Sequence, residues 1–152
     1  MISIIRTDFT NPDFRALVAL LDEDLQIRDG AEHSFYAPFN KLDKIKEAVV
    51  AYIGVEPVGS GALRAYTAQT AEIKRMFVKP QFRGRGIAQN ILSALEAWAK
   101  ELNFSTCILE TGKKQPEAIS LYQKAGYTFI PNYGQYENME NSVSMKKILS
   151  EN

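Results

Sequence analysis

The chain predicts a mixed α/β fold in one domain. The expected core is a mostly antiparallel sheet of about seven strands with one parallel strand–helix–strand crossover and helices on both faces. Three observations predict it. Strand-like runs at 48–53, 58–66 and 71–78 are joined by tight turns at 54–57 and 67–70, and short connections imply antiparallel neighbours. The third run then leads through a strongly amphipathic stretch, 86–102, into a β-rich run at 106–110, which is the pattern of a right-handed parallel crossover. Length and composition permit a real core: 152 residues, 45% hydrophobic and 24% charged, make one ordinary globular domain spanning 1–152.

The elements follow in order. Residues 2–7 read as the first strand. Asn11 and Pro12 mark a helix start, an N-cap side chain followed by a ring suited to the first turn. Phe14, Leu17, Val18, Leu21 and Leu25 then recur at helical spacing as one apolar face. Asp22, Glu23 and Asp24 crowd the far end, where negative charge opposes the helix dipole. Either a cation compensates there or the helix ends early. Residues 29–40 form a loop rich in rings (His33, Phe35, Tyr36, Phe39), and 42–46 allow one further helical turn. Alternation along 71–78 places Glu72, Lys74 and Met76 on one face and Ile73, Arg75 and Phe77 on the other. Arg75 would then point to the apolar side and need a carboxylate such as Glu110. The helix at 86–102 should bury Ala88, Ile91, Leu92, Leu95, Trp98, Ala99 and Leu102, with Glu96, Lys100 and Glu101 outside. A second helix, 116–124, stops before Gly126. The last strands are 127–130 and 143–148, with a polar, aromatic loop at 131–142.

Composition excludes several classes. The 18 basic and 18 acidic side chains cancel, so no bulk field draws the chain to nucleic acid or to an anionic membrane. The only Cys, Cys107, forms no internal disulfide and fits a reducing compartment. It lies in a β-rich run and reads as buried and inert. One His and one Cys make no metal site. No apolar run is long enough to span a bilayer. The first residues are too short for the apolar core of a signal peptide, so the expected location is the cytoplasm. A homodimer is the ordinary expectation for assembly.

The segment Gln81-Phe82-Arg83-Gly84-Arg85-Gly86-Ile87-Ala88 follows a strand and opens a helix. Two glycines spaced by one residue let the backbone curl so that several N–H groups point at one spot. The positive end of the helix dipole points there too, which makes a site for a phosphate or pyrophosphate. A P-loop would need Lys and Ser or Thr where Ile87 and Ala88 stand. A dinucleotide fingerprint would need a small residue at Gln89, although Glu110 could imitate its ribose-binding acid.

This segment resembles the acetyl-CoA signature of the GNAT superfamily of N-acetyltransferases, R/Q-x-x-G-x-G/A. The likeness extends upstream through Met76-Phe77-Val78-Lys79-Pro80. A second stretch, Ala118-Ile119-Ser120-Leu121-Tyr122-Gln123-Lys124-Ala125-Gly126-Tyr127, is similar to the family's A-x-x-L-Y-x-K-x-G-F. The order of elements fits the family's mixed sheet over the whole chain. The resemblance implies a metal-free N-acetyltransferase that moves acetyl from acetyl-CoA directly to a primary amine of a small molecule or peptide. It implies that the CoA pyrophosphate sits on backbone amides from Phe82 to Ala88. Gly84, Gly86 and Ala88 would permit close approach, and Arg83 and Arg85 would add positive charge. The pantetheine arm would pair with the backbone of Met76 and Val78. An amide near Phe77 or Val78 would hold the thioester oxygen.

Roles for single residues follow from the same resemblance. Tyr122 would serve the departing sulfur, since a thiol near pKa ~8.5 and a phenol near ~10 suit proton transfer or a strong hydrogen bond. The plainer alternative is a ring packed in its helix face. Glu72 would be the general base, directly or through water; otherwise it is a solvent-facing strand residue. Gln115 stands where many members carry Asn and keeps the amide on a longer arm. Ala118 lies in the second motif. Lys124 could approach the adenosine phosphates or be merely solvated. The loop with His33 and Tyr36 borders the acceptor site in the family, and the loop with Tyr133 borders it from the other side. Loop hydrogen bonding and a solvated hairpin tip are their alternatives. Glu72, Glu110, Glu137 and Glu140 would attract a cationic amine, whereas Arg64, Lys74, Arg75, Lys113 and Lys114 would favour a carboxylate-bearing acceptor. Two competing expectations stay open: a non-catalytic CoA-sensing module and a dinucleotide-dependent oxidoreductase.

Overall fold

The structure is a computed structural model and describes residues 1–29 and 45–149. Its strands are β1 (Ile2–Thr7), β2 (Glu47–Ile53), β3 (Glu56–Ala65), β4 (Thr70–Val78), β5 (Thr106–Gly112), β6 (Thr128–Ile130) and β7 (Ser142–Ile148). Its helices are α1 (Pro12–Asp29), α2 (Ile87–Glu101) and α3 (Pro116–Lys124). The strands form one seven-stranded sheet in the order β1-β2-β3-β4-β5-β7-β6. Every described pairing is antiparallel except β4 with β5, which α2 joins as the expected parallel crossover. No helix among the described residues is long and apolar enough to cross a membrane.

The sheet carries a packed layer on each face. On one face, Ile87, Ile91, Leu92 and Leu95 of α2 meet Val49, Leu63, Ile73, Leu109 and Met145. On the other, Phe14, Leu17, Val18 and Leu21 of α1 meet Val50, Ala62 and Phe77. Glycine lets α2 come close: a Cβ at Gly61 would lie 2.7 Å from Leu95 Cδ1 and 2.8 Å from Ile91 Cγ2. The α2 face differs from expectation at its ends. Ile87 is buried, and Leu102, which follows the last helical residue, is 41% exposed.

Helix α1 starts as its sequence predicts. Asn11 Oδ1 accepts the N–H groups of Asp13 and Phe14 at 2.8 and 3.0 Å. It does not end at its acidic residues but runs on to Asp29. The compensating cation is Arg83, 3.9 Å from Asp24. His33, Phe35, Tyr36 and Phe39 lie outside the described residues, as does most of the turn expected at 42–46.

Strand β4 corrects the expected alternation. Ala62 pairs with Lys74 and Ser60 with Phe77, so β4 carries one residue more than β3 across this step. The extra residue is a β-bulge, and Arg75 within it has φ +60°. A left-handed backbone at a non-glycine residue costs about 1–3 kcal/mol and needs support. The buried Ser60 hydroxyl supplies some, donating to the Arg75 carbonyl at 2.9 Å. The bulge shifts parity. Ile73 and Met76, expected on opposite faces, both pack in the α2 layer, while Phe77 joins the α1 layer.

Candidate active site

The bulge lies where the sheet opens. Pairing of β4 with β5 stops at Ile73 and Leu109. Beyond that point β4 stays with β3, and β5 stays with β7 as far as Gly112. The two strands therefore part in the middle of the sheet. Lys79 N–H bonds Val58 O, so ladder alternation turns the Phe77 amide toward β3 and those of Met76 and Val78 toward the gap. Val78 O accepts Arg83 Nε at 2.8 Å. The gap thus offers a strand edge to an extended ligand.

An outer groove of about 490 Å³ runs from this edge to the start of α2. Met76, Phe77 and Val78 line it from β4; Phe82, Arg83, Gly84, Gly86, Ile87 and Ala88 from the glycine-rich turn; Gln115, Ala118, Tyr122 and Lys124 from α3 and its cap. Gly84 and Gly86 have φ +81° and +79°, and a Cβ at either would meet nothing within 4 Å. Left-handed backbone, not crowding, is what requires glycine there. Asn90 N–H is bonded to Gly86 O, and the first-turn amides before it have no intrahelical acceptor. Open amides at a helix start and a bare strand edge together fit the pyrophosphate and amide arm of acetyl-CoA. Gln81 and Arg85 are exposed and line neither cavity; the Arg85 guanidinium sits 5.3 Å over the Phe82 ring. Arg83 is held between Asp24 and the Val78 carbonyl, so part of its charge is already offset. Pro116 is the first residue of α3, as its ring requires, and Gln115 precedes it as N-cap.

An inner pocket of about 120 Å³ adjoins the groove. Tyr122, Met76, Gln115, Ala118 and Leu21 line both cavities. Glu72, only 2% exposed, lines the inner pocket, as does Glu110. The Tyr133 hydroxyl donates to Glu72 Oε2 at 2.7 Å, and Arg64 Nε lies 3.5 Å from Oε1. The Ser142 hydroxyl donates to Glu110 Oε2 at 2.7 Å. Lys74 Nζ donates to the Tyr136 hydroxyl at 3.3 Å. Tyr133 packs edge-on to Tyr66 and to Tyr136, with centroids 5.1 and 5.7 Å apart. Asn132 braces this loop, donating to the carbonyls of Met139 and Ser142 and accepting the Ser144 hydroxyl.

Burial sets the proton chemistry. It pushes the Tyr122 phenol well above its ordinary pKa, and Glu110 pushes the same way. Tyr122 therefore keeps its proton at neutral pH and can donate it in a hydrogen bond. Burial also raises Tyr133, with Glu72 adding to the effect, and Tyr136, with Glu110 and then Glu72. Burial lowers Lys74, against the opposing pull of Glu72. Cys107, fully buried, is pushed up to about 12 by burial and then by Glu96.

The structure thus gathers Glu72, Glu110, Tyr122 and Tyr133 at one place. His33 and Tyr36 lie outside the described residues. Lys74 was offered by sequence only as one of several cations for the acceptor, while Tyr136 and Asn132 were not singled out. The density of rings in the 131–142 loop was the signal available for Tyr136; Asn132 had none.

Known proteins agree with this architecture. The profile of the acetyltransferase (GNAT) family matches residues 1–127. An IAA acetyltransferase of Azospirillum brasilense is 38% identical over 93 residues, which cover 60% of this chain and 61% of that protein. The chain thus matches less than two thirds of that relative's length. A Klebsiella pneumoniae protein thought to be an acyl-CoA N-acyltransferase superposes with TM-score 0.83 at 30% identity, over 99% of both chains. The PaiA N-acetyltransferase of Thermoplasma acidophilum, solved with coenzyme A, shares the fold with TM-score 0.75 at 16% identity, over 97% of this chain and 99% of that one. The chain belongs to the acetyltransferase (GNAT) family.

Proposed function

From that membership we propose that the protein is an acyltransferase that moves the acetyl group of acetyl-CoA directly to a primary amine of a small molecule or peptide. The observation that carries this reading is the position of Tyr122 on the wall shared by the outer groove and the inner pocket. A donor in the groove and an acceptor in the pocket would meet beside its hydroxyl. The coenzyme A held by the PaiA protein supports the choice of donor.

Acetyl-CoA supplies an acetyl group activated as a thioester. The chain's own residues do the rest. The gap-facing edge of Met76 and Val78 pairs with the amide arm, and the amides from Phe82 to Ala88 hold the pyrophosphate. Val78 N–H, which faces the gap, is aimed to hold the thioester oxygen as negative charge gathers there. Glu72 takes the ammonium proton of the acceptor, directly or through water, because only the free amine has a lone pair to attack with. The new C–N bond forms as the C–S bond breaks. Tyr122 steadies the departing thiolate by a hydrogen bond. Its raised pKa makes full proton transfer to sulfur uphill, so the proton that ends on the thiol comes finally from the acceptor.

The test is release of free thiol from acetyl-CoA across a panel of amines, amino acids, aminoglycosides, polyamines and N-terminal peptides, with the acetylated product identified by mass. Acceptor-dependent thiol release is expected. Tight CoA binding with no turnover across the panel would instead identify a CoA-sensing module.

A further inference from the structure

We propose that the acceptor carries an anionic group, in the simplest case a carboxylate, a few bonds from its amine. This deepens the acetyltransferase reading and rests on it. The inner pocket is lined by six charged side chains: Lys74, Arg75, Lys113 and Lys114 against Glu72 and Glu110. The chain as a whole is neutral, so this excess of positive charge is local. Glu137 and Glu140, which sequence offered as attractors for a cation, line neither cavity. Arg64 adds a further positive charge 3.5 Å from Glu72.

The layout gives the acceptor a direction. Tyr122 and Met76 mark the end shared with the donor groove, where the reacting nitrogen belongs. Lys113 and Lys114 are exposed, in the connection from β5 to α3, and form the charged rim. Leu21 and Leu25 add apolar surface to the pocket, Leu21 on the wall shared with the groove. An anionic group at the lysine rim would complete the charge balance of the pocket. The same positive surroundings favour a neutral over a protonated nitrogen, which is the form that attacks. A polyamine would meet an excess of its own charge.

Matched acceptors test the proposal: amino acids, their carboxamides and the corresponding decarboxylated amines. Each is measured by thiol release and by calorimetric binding to enzyme saturated with CoA. The carboxylate member should show a kcat/KM at least ~10-fold above its carboxamide. The double variant Lys113→Ala/Lys114→Ala changes only exposed side chains, so folding is not at risk. It should raise KM for the carboxylate member about 10-fold and narrow the ratio, with little change in kcat. Equal or better use of carboxamides or diamines would overturn the proposal. A double variant that keeps the full ratio would also overturn it. If CoA binds but no amine is acetylated, the acetyltransferase reading fails by itself. The calorimetric comparison then decides the charge preference: tighter binding of the carboxylate member sustains it, and equal or absent binding overturns it.

Discussion

The outer groove and the inner pocket share Tyr122 but are made of different parts. The groove presents backbone: amides at the start of α2, two left-handed glycines and a strand edge left bare where β4 and β5 separate. The pocket is lined by side chains from α1, β4, β5, the connection into α3, α3 itself and the loop before β7, several of them held by hydrogen bonds and an ion pair. The difference teaches a division of labour. A backbone cradle suits one invariant donor and tolerates change in the side chains around it. A cross-linked set of side chains suits a selective acceptor site, as proposed above, and several of its members depend on partners distant in sequence.

The largest expected effect falls on the cradle. Gly84→Glu forces a side chain onto a backbone with φ +81° and brings a carboxylate to an anion site, so CoA affinity should fall at least ~100-fold by calorimetry. Gly84→Ala separates the two causes. Its Cβ meets no atom within 4 Å, so only conformational strain of about 1–2 kcal/mol remains, roughly a 10-fold loss. Wild-type affinity in the Glu variant would remove the groove as a phosphate site.

Changes in the pocket should leave CoA affinity alone. Glu72→Gln keeps a group able to accept from Tyr133 but cannot take a proton. Its kcat should drop about 100-fold, the range of a lost general base. An unchanged kcat would assign Glu72 a purely structural role. Tyr133→Phe removes only the hydroxyl that orients Glu72. The expected loss is roughly 3-fold to 10-fold in kcat/KM, the range of one ordinary net hydrogen bond.

The smallest effect concerns the fold beneath both sites. Cys107 is raised by burial to about 12, so folding favours its protonated form. That stability is complete below the ordinary thiol range and is lost as pH rises toward about 12. The melting temperature should therefore decline across that alkaline window, and Cys107→Ala should make the decline shallower. An identical pH profile for the two proteins would contradict this.

The two regions also differ in how far sequence revealed them. The glycine-rich turn, the Asn11 cap and the Pro116 start were all legible, because each depends on φ or on hydrogen bonds within a few residues. The antiparallel run β2-β3-β4 followed from connection lengths, and the parallel crossover from the strand–helix–strand passage. The bulge at Arg75 was not legible: an arginine with φ +60° leaves no mark in the sequence, and without it Met76 is placed on the wrong face. The parting of β4 and β5 depends on where pairing stops, which local pattern does not encode. The same holds for the bond from Tyr133 to Glu72, which joins residues 61 positions apart. Sequence offered acidic and basic residues for the acceptor site on equal terms. The fold lines the pocket with Glu72, Glu110, Lys74, Arg75, Lys113 and Lys114 and leaves Arg64, Glu137 and Glu140 off its wall.

The central claim is that Tyr122 serves the reaction where the two cavities meet, and Tyr122→Phe tests it most directly. The ring and its edge-on contact with Tyr127, 5.8 Å between centroids, remain, and only the hydroxyl is lost. Parallel measurement of turnover and of CoA binding should show kcat reduced about 10-fold or more, with the CoA dissociation constant within about 2-fold of wild type. Unchanged turnover, or an equal loss of CoA affinity, would contradict the account.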